Sequence, residues 1–195
     1  RAAQTIVLDD LGVALHGRSF PAREPPADFA RTYPAAKPGL VNIGVLHTAL
    51  QGTHDHAPYA PSSVEDLRRF GYDYWALGHV HAGSIVARDP WIVYPGNIQG
   101  RSVRETGAKG AVRVTVEDGR IVDATPFACD AARWAHETLD ISVCADEADI
   151  LAAANSLFAR VAAEAEGRPV AMRLRLAGVS PLHARLVAER ERLEA

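Results

Sequence analysis

Two cysteines in 195 residues, Cys129 and Cys144, lie far apart and outside any CxxC pattern. That argues against a disulfide framework or a zinc-thiolate site and fits a reducing, cytoplasmic compartment, with both thiols expected as small buried hydrophobes. An excess of one charge is also missing: 21 basic residues face 24 acidic ones, for a formal net charge of -3. No overall basic character announces a nucleic-acid partner, so any such contact must be local. No apolar run approaches the roughly 18 residues of a membrane span, and with 48% hydrophobic and 23% charged residues a soluble globular chain is expected. Its length suits one full domain, or a large domain fragment and a small one. A secretory signal pattern is lacking, and strand-like sequence follows Arg1 almost at once, which predicts a start inside a domain. There is no Walker loop or GxGxxG, no residue order that argues for a Ser-His-Asp triad, and no internal repeat. Nucleotide-driven and triad chemistry are disfavoured.

The residues that are present read as alternating elements. TIVL and VALHG flank DDLG, a predicted hairpin, because Asp and Gly accept the backbone angles of a tight connection. Five prolines between Pro21 and Pro38 mark a loop, with a short helix expected around Asp28 to Tyr33. LVNIGVLH predicts a strand ending at His47. SSVEDLRRFG predicts a helix over 63–70, with Ser62 and Glu65 at capping-box spacing and Gly71 as its stop. The next strand is expected over 72–77. This is a βαβ order, in which loops at the carboxyl ends of strands hold the site. SIVAR, WIVY, AVRVTV and IVDATPF predict an antiparallel run. Composition shifts near 128–137. Beyond it the pattern predicts a strand over 138–144, a helix over 147–166 opened by Asp146, and a half-buried strand, VAMRLRL. A last helix is expected with Ser180 as cap and Pro181 in its first turn. Together these make a small βαβα unit.

The chemistry concentrates in GYDYWALGHVHAG, residues 71–83. His79 and His81 stand at i and i+2, and on an extended segment they would point to one side and reach one small volume together. Alone, such a pair reads as ordinary half-exposed strand-end histidines. Gly78 before it permits a close approach, and His47 ends an adjacent strand, so three neutral imidazoles can converge. Imidazole suits zinc, iron or manganese, and without thiolates an open catalytic site is expected rather than a closed structural one. His54 and His56 read as a solvated loop pair, and His16, His136 and His183 as ordinary surface or capping residues. YPGNIQGRSVRETGAKG, residues 94–110, carries Arg101, Arg104 and Lys109, which read equally as phosphate donors or as a plain exposed loop.

GVLHT at 44–48, WALGHVH at 75–81 and IVYPGNIQGRSVRETGAKG at 92–110 resemble the later motifs of calcineurin-like metallophosphoesterases, specifically the SbcD-type DNA repair exonucleases. The resemblance covers most of residues 1–135, and the βαβα unit of 136–195 resembles the start of that family's DNA-capping domain. It implies the C-terminal half of a four-layer αββα sandwich followed by a partial cap. It also implies two divalent ions, expected as Mn2+, with His47 and His79 similar to ligands of one and His81 to a ligand of the other. Asn97, Arg101 and Arg104 are implied substrate contacts, with no catalytic residue beyond the metal ligands. The implied partners are DNA and an SbcC-like ATPase, the full-length protein being a homodimer without membrane attachment. The family's Asp-x-His, Gly-Asp-x-x-Asp and Gly-Asn-His motifs are absent from the chain, and Asn97 stands where many relatives have serine. The expectation is therefore an N-terminally truncated nuclease, inactive alone. The alternatives are a small-molecule metallophosphatase and a non-enzymatic metal-binding or interaction module.

Overall fold

The structure, a computed structural model, describes residues 2–20, 29–50 and 62–189. It divides into two compact units, Arg1–Ile98 with Lys109–Cys129, and Gln99–Ala108 with Asp130–Ala195.

The first unit is built on a six-stranded sheet. β1 (Gln4–Leu8) and β2 (Val13–Gly17) form the expected hairpin, closed by a 3-10 turn and by Gly12 at φ +64°. β3 (Val41–His47) follows in parallel, then α1 (Val64–Arg68), β4 (Tyr74–Gly78), β5 (Ser84–Arg88) and β6 (Trp91–Tyr94). The order is β1-β2-β3-β4-β6-β5, with β6 parallel to β4 and β5 antiparallel at the edge. The predicted antiparallel run is thus split: β6 extends the parallel sheet. β7 (Gly110–Glu117) and β8 (Arg120–Ala128) form a separate hairpin. Its two-residue turn, Asp118 and Gly119, has both φ angles positive, the geometry that matches the twist of the flanking strands.

Pleating sorts the residues of β4 between two cores. Trp75 and Leu77 enter a cluster with Leu46, Leu67 and Tyr72 on the helical side, whereas Tyr74 and Ala76 meet Val93 and the inward residues Val112, Val114, Ile121 and Ala124 of the β7–β8 hairpin. Helix, sheet and sheet are therefore layered within this unit, a mixed α/β arrangement. Gly44 is required beneath Trp75, since a Cβ there would run into the indole. The indole N–H donates to the Leu67 carbonyl at 3.2 Å, tying α1 to the sheet.

The cap of α1 differs from expectation by one residue. Ser63, in extended conformation, accepts from the Asp66 N–H at 3.0 Å while the Asp66 carboxylate accepts from the Ser63 N–H. Ser62 is buried and bridges to Leu50, so it is not free to cap. Gly71, at φ +69°, ends the turn as predicted. A short helix does form near Tyr33, as a 3-10 turn over Phe29–Thr32. His16, expected at the surface, is fully buried: Nε2 donates to Asn42 Oδ1 at 3.0 Å, Nδ1 accepts from the Thr5 hydroxyl at 2.9 Å, and the ring stacks on Tyr72.

The second unit contains β9 (Arg133–Asp140), α2 (Glu147–Glu164), β10 (Val170–Ala177) and α3 (His183–Ala188). β9 and β10 pair in parallel with each other, from Arg133↔Val170 to Asp140↔Ala177, and form their own two-stranded sheet. The strand predicted at 138–144 thus begins earlier and ends at Asp140, where the Ser142 N–H turns onto the Asp140 carboxylate. Asp146 caps α2 and Gly167, at φ +80°, follows its end. Ser180 does not cap α3: its N-cap position is Leu182 and carries no side-chain cap bond. Gln99–Ala108 joins this unit because Gln99 bonds the backbone of Ala131 and Ala132, Trp134 Nε1 donates to the Gly100 carbonyl, and the Gly107 N–H donates to the Trp134 carbonyl. Cys144 is buried, but Cys129, beyond the end of β8, is exposed, contrary to the expectation for it; both thiols are free.

Candidate metal centre

His47 is the last residue of β3, and its register partner is Gly78, the last of β4. A Cβ on Gly78 would stand 2.8 Å from His47 Nδ1, so the glycine opens the space in which the imidazole lies over the neighbouring strand. One residue on, His79 has φ +98°, a region that residues with a Cβ rarely occupy and that costs about 1–3 kcal/mol. The strand therefore ends at Gly78. His79 and His81 do not sit on an extended segment, and the same-side argument for i and i+2 does not hold. The bend instead brings His79 to His47, with ring centroids 5.3 Å apart and nearly perpendicular. Phe20 closes edge-on against His47 at 5.9 Å.

The His47 imidazole is held below the usual histidine range, first by partial burial and then by the charge of His81. Both favour the neutral ring, whose lone pair is the form that ligates a metal. His81 is thus within electrostatic reach of His47. Its backbone carbonyl accepts from the Asn97 N–H at 3.2 Å, and a Cβ on Gly96, at φ +78°, would lie 2.8 Å from that same carbonyl. The glycine lets the turn 95–97 lie close against the histidine segment. Asn97 is so brought to His81, and its own carbonyl accepts from the Gly110 N–H.

A scaffold that sequence reasoning did not single out fixes the chain after His47. The buried Thr48 donates its N–H to the Gly78 carbonyl at 3.2 Å, and the Tyr94 hydroxyl donates to the Thr48 carbonyl at 2.9 Å while accepting from the Leu50 N–H. The residue that follows β3 is thereby tied to the last residues of β4 and β6. A tyrosine closing an apolar strand was the available signal.

Arg101 and Arg104 belong to the second unit. Arg101 is engaged by Glu105, which accepts its backbone N–H at 2.7 Å and pairs with its guanidinium at 3.7 Å, while Arg104 is exposed. His54 and His56 lie outside the described residues. Among the described residues no group of three or more His, Cys, Asp or Glu is placed to hold a metal ion. The expected convergence of three imidazoles is therefore reduced to the contact of His47 with His79, whose donor chemistry fits a divalent cation as part of a ligand set rather than a whole one.

The family described as Metallophosphoesterase YhaO, middle domain, matches residues 134–195. Over 169 residues the chain is 34% identical to a protein of Bacillus subtilis (strain 168) named "Uncharacterized metallophosphoesterase YhaO", an alignment covering 86% of this chain and 41% of that protein. The chain thus spans about two fifths of the length of this curated relative. Residues 134–195 are thus similar to the middle domain of a metallophosphoesterase, and the chain as a whole is similar to part of a metallophosphoesterase of Bacillus subtilis.

Proposed function

We propose that this chain is part of a metal-dependent phosphodiesterase acting on DNA, a repair nuclease subunit of the SbcD type that works with an SbcC-like ATPase, and that it carries the later half of the metal site. The observation that supports this reading is the contact of His47 and His79 at the ends of β3 and β4, made possible by Gly78 and held in a strained backbone at His79. His47 and His79 would hold one divalent ion, Mn2+ in this reading, and His81 would serve a second. Bound ions of this kind activate a water nucleophile and stabilise charge on the phosphoryl oxygens. The protein's own share is to present the neutral His47 imidazole and to hold the chain after it through Thr48 and Tyr94. Asn97, whose N–H donates to the His81 carbonyl, would in this reading approach a phosphate oxygen. A small-molecule metallophosphatase would use the same histidines and is the competing reading.

Three imidazoles lack a bridging carboxylate to offset the repulsion between two cations. The 195-residue chain is therefore expected to bind at most one ion weakly and to cleave nothing. The test is metal analysis with Mn2+, and cleavage of linear duplex DNA and of p-nitrophenyl phosphate, on this chain and on a chain completed with a family-like amino-terminal segment. The completed chain should hold two ions and cut DNA, and His79→Ala or His81→Ala should abolish cutting. Turnover of the small ester alone would favour the phosphatase. Robust Mn2+-dependent cleavage by the short chain would overturn the ligand assignment.

A further inference from the structure

We propose that the open edge of β10 is a docking site for an extended polypeptide segment of alternating apolar and acidic residues, added as a third strand beside β9 and β10. The Arg133 N–H donates to the Pro169 carbonyl at 2.9 Å and the Ile141 N–H to the Ala177 carbonyl at 2.8 Å. In a parallel ladder alternate residues of a strand bond to the same neighbour, so Ala171, Arg173 and Arg175 turn their backbone groups to β9. Val170, Met172, Leu174 and Leu176 turn theirs to the opposite edge, where no strand pairs among the described residues. A row of N–H and C=O groups set out in this way is a template for strand addition.

The two faces flanking that edge state what the added strand must carry. On the helix side a mostly apolar groove of about 470 Å³ runs along β10, lined by Phe158, Val161, Ala162, Val170, Met172 and Leu174, with Arg168, paired to Asp130 and Glu166, as its one charged wall. Phe158 is 42% exposed, and Leu151, one heptad earlier on α2, is 50% exposed. On the other side Arg173 and Arg175 are exposed and enter no ion pair among the described residues, and their register partners on β9 are His136 and Thr138. A strand repeats its side chains with period two. Apolar residues at alternate positions would fill the groove while the intervening acidic ones face the arginines. A second copy of β10 would set arginine rows against each other, which is destabilising across strands. A nucleic acid would meet the arginines but leave the apolar groove and the backbone edge unused.

The test is a blocked nine-residue peptide alternating valine and glutamate, added to the whole chain and followed by amide hydrogen exchange and titration. Binding should slow exchange at Met172 and Leu174 at least tenfold. Arg173→Glu with Arg175→Glu should weaken it at least tenfold, and so, separately, should Phe158→Ala; both changes fall on exposed positions, and circular dichroism checks that the fold is kept. A peptide with lysine in place of glutamate should not bind. Equal binding by a scrambled peptide, indifference to the arginine changes, protection elsewhere than β10, or displacement by a short DNA duplex would overturn the proposal. So would self-association of the chain that protects β10 without peptide.

Discussion

At His79 the backbone and the side chain make opposite demands. A φ of +98° is natural for glycine and strained for histidine, so His79→Gly should be about 1 kcal/mol more stable than His79→Ala, although both lose the same imidazole. Parallel denaturation of the two variants measures it. Gly78 is constrained from the other direction: Gly78→Ala places a methyl 2.8 Å from His47 Nδ1, so the fold should survive while the His47 ring moves off His79. Loss of the NOE between the two imidazoles would show it. This much was legible, because the glycine and both histidines adjoin in one stretch and His47 ends an apolar run. The burial of His16 was not. Its environment is assembled from Thr5, Asn42 and Tyr72, far apart in sequence, and nothing near His16 distinguishes a hydrogen-bonded core histidine from a surface one.

Among the elements, hairpins and helix ends were the readable ones, since Asp-Gly turns and Gly71 or Gly167 act through local backbone geometry. β9 was misread because the side facing α2 carries Arg133, Ala135 and Glu137 before Leu139. Its polar residues are met from α2: Glu137 pairs with Arg160 at 2.8 Å and Arg133 donates to the Glu164 carbonyl at 2.6 Å. The start of α1 was ambiguous between two adjacent serines, and burial chose Ser63. Ser63→Ala should therefore cost about 1 kcal/mol of stability. The Asp66 carboxyl is held below its ordinary range by hydrogen bonds from the Ser63 hydroxyl and N–H. A depressed folded-state value means that its contribution is present above the unfolded value of 3.8 and is lost as pH falls through the lower, folded one. The Ser63→Ala penalty should accordingly shrink on acidification across that window, as urea titrations at stepped pH would reveal.

For the whole molecule, the boundary read from composition placed a change near residues 128–137, but the second unit also takes Gln99–Ala108 out of the middle of the first. Sequence order could not show this, because the segment is recruited by side chains that reach across many residues, those of Gln99 and Trp134. The second unit is organised around a carboxylate with no exposed surface. The Asp130 side chain pairs with Arg168 at 2.9 Å and Arg133 at 3.2 Å, and Arg133 also pairs with Glu166 at 2.8 Å and donates to the Glu164 carbonyl. These links join the start of β9 to the end of α2 and the approach to β10. Removing one partner of a buried pair strands the others, at a cost of about 3–5 kcal/mol. The bonds from Arg133 to Glu166 and Glu164 put Asp130→Ala near the lower end. Each unit has its own cores and its own sheet hydrogen bonds, so the loss should be local. Hydrogen exchange should accelerate in β9, α2 and β10, while β3, β4 and β6, with Trp75 in their midst, keep the protection of the parent chain. Equal acceleration in both sets would mean that the two units unfold as one.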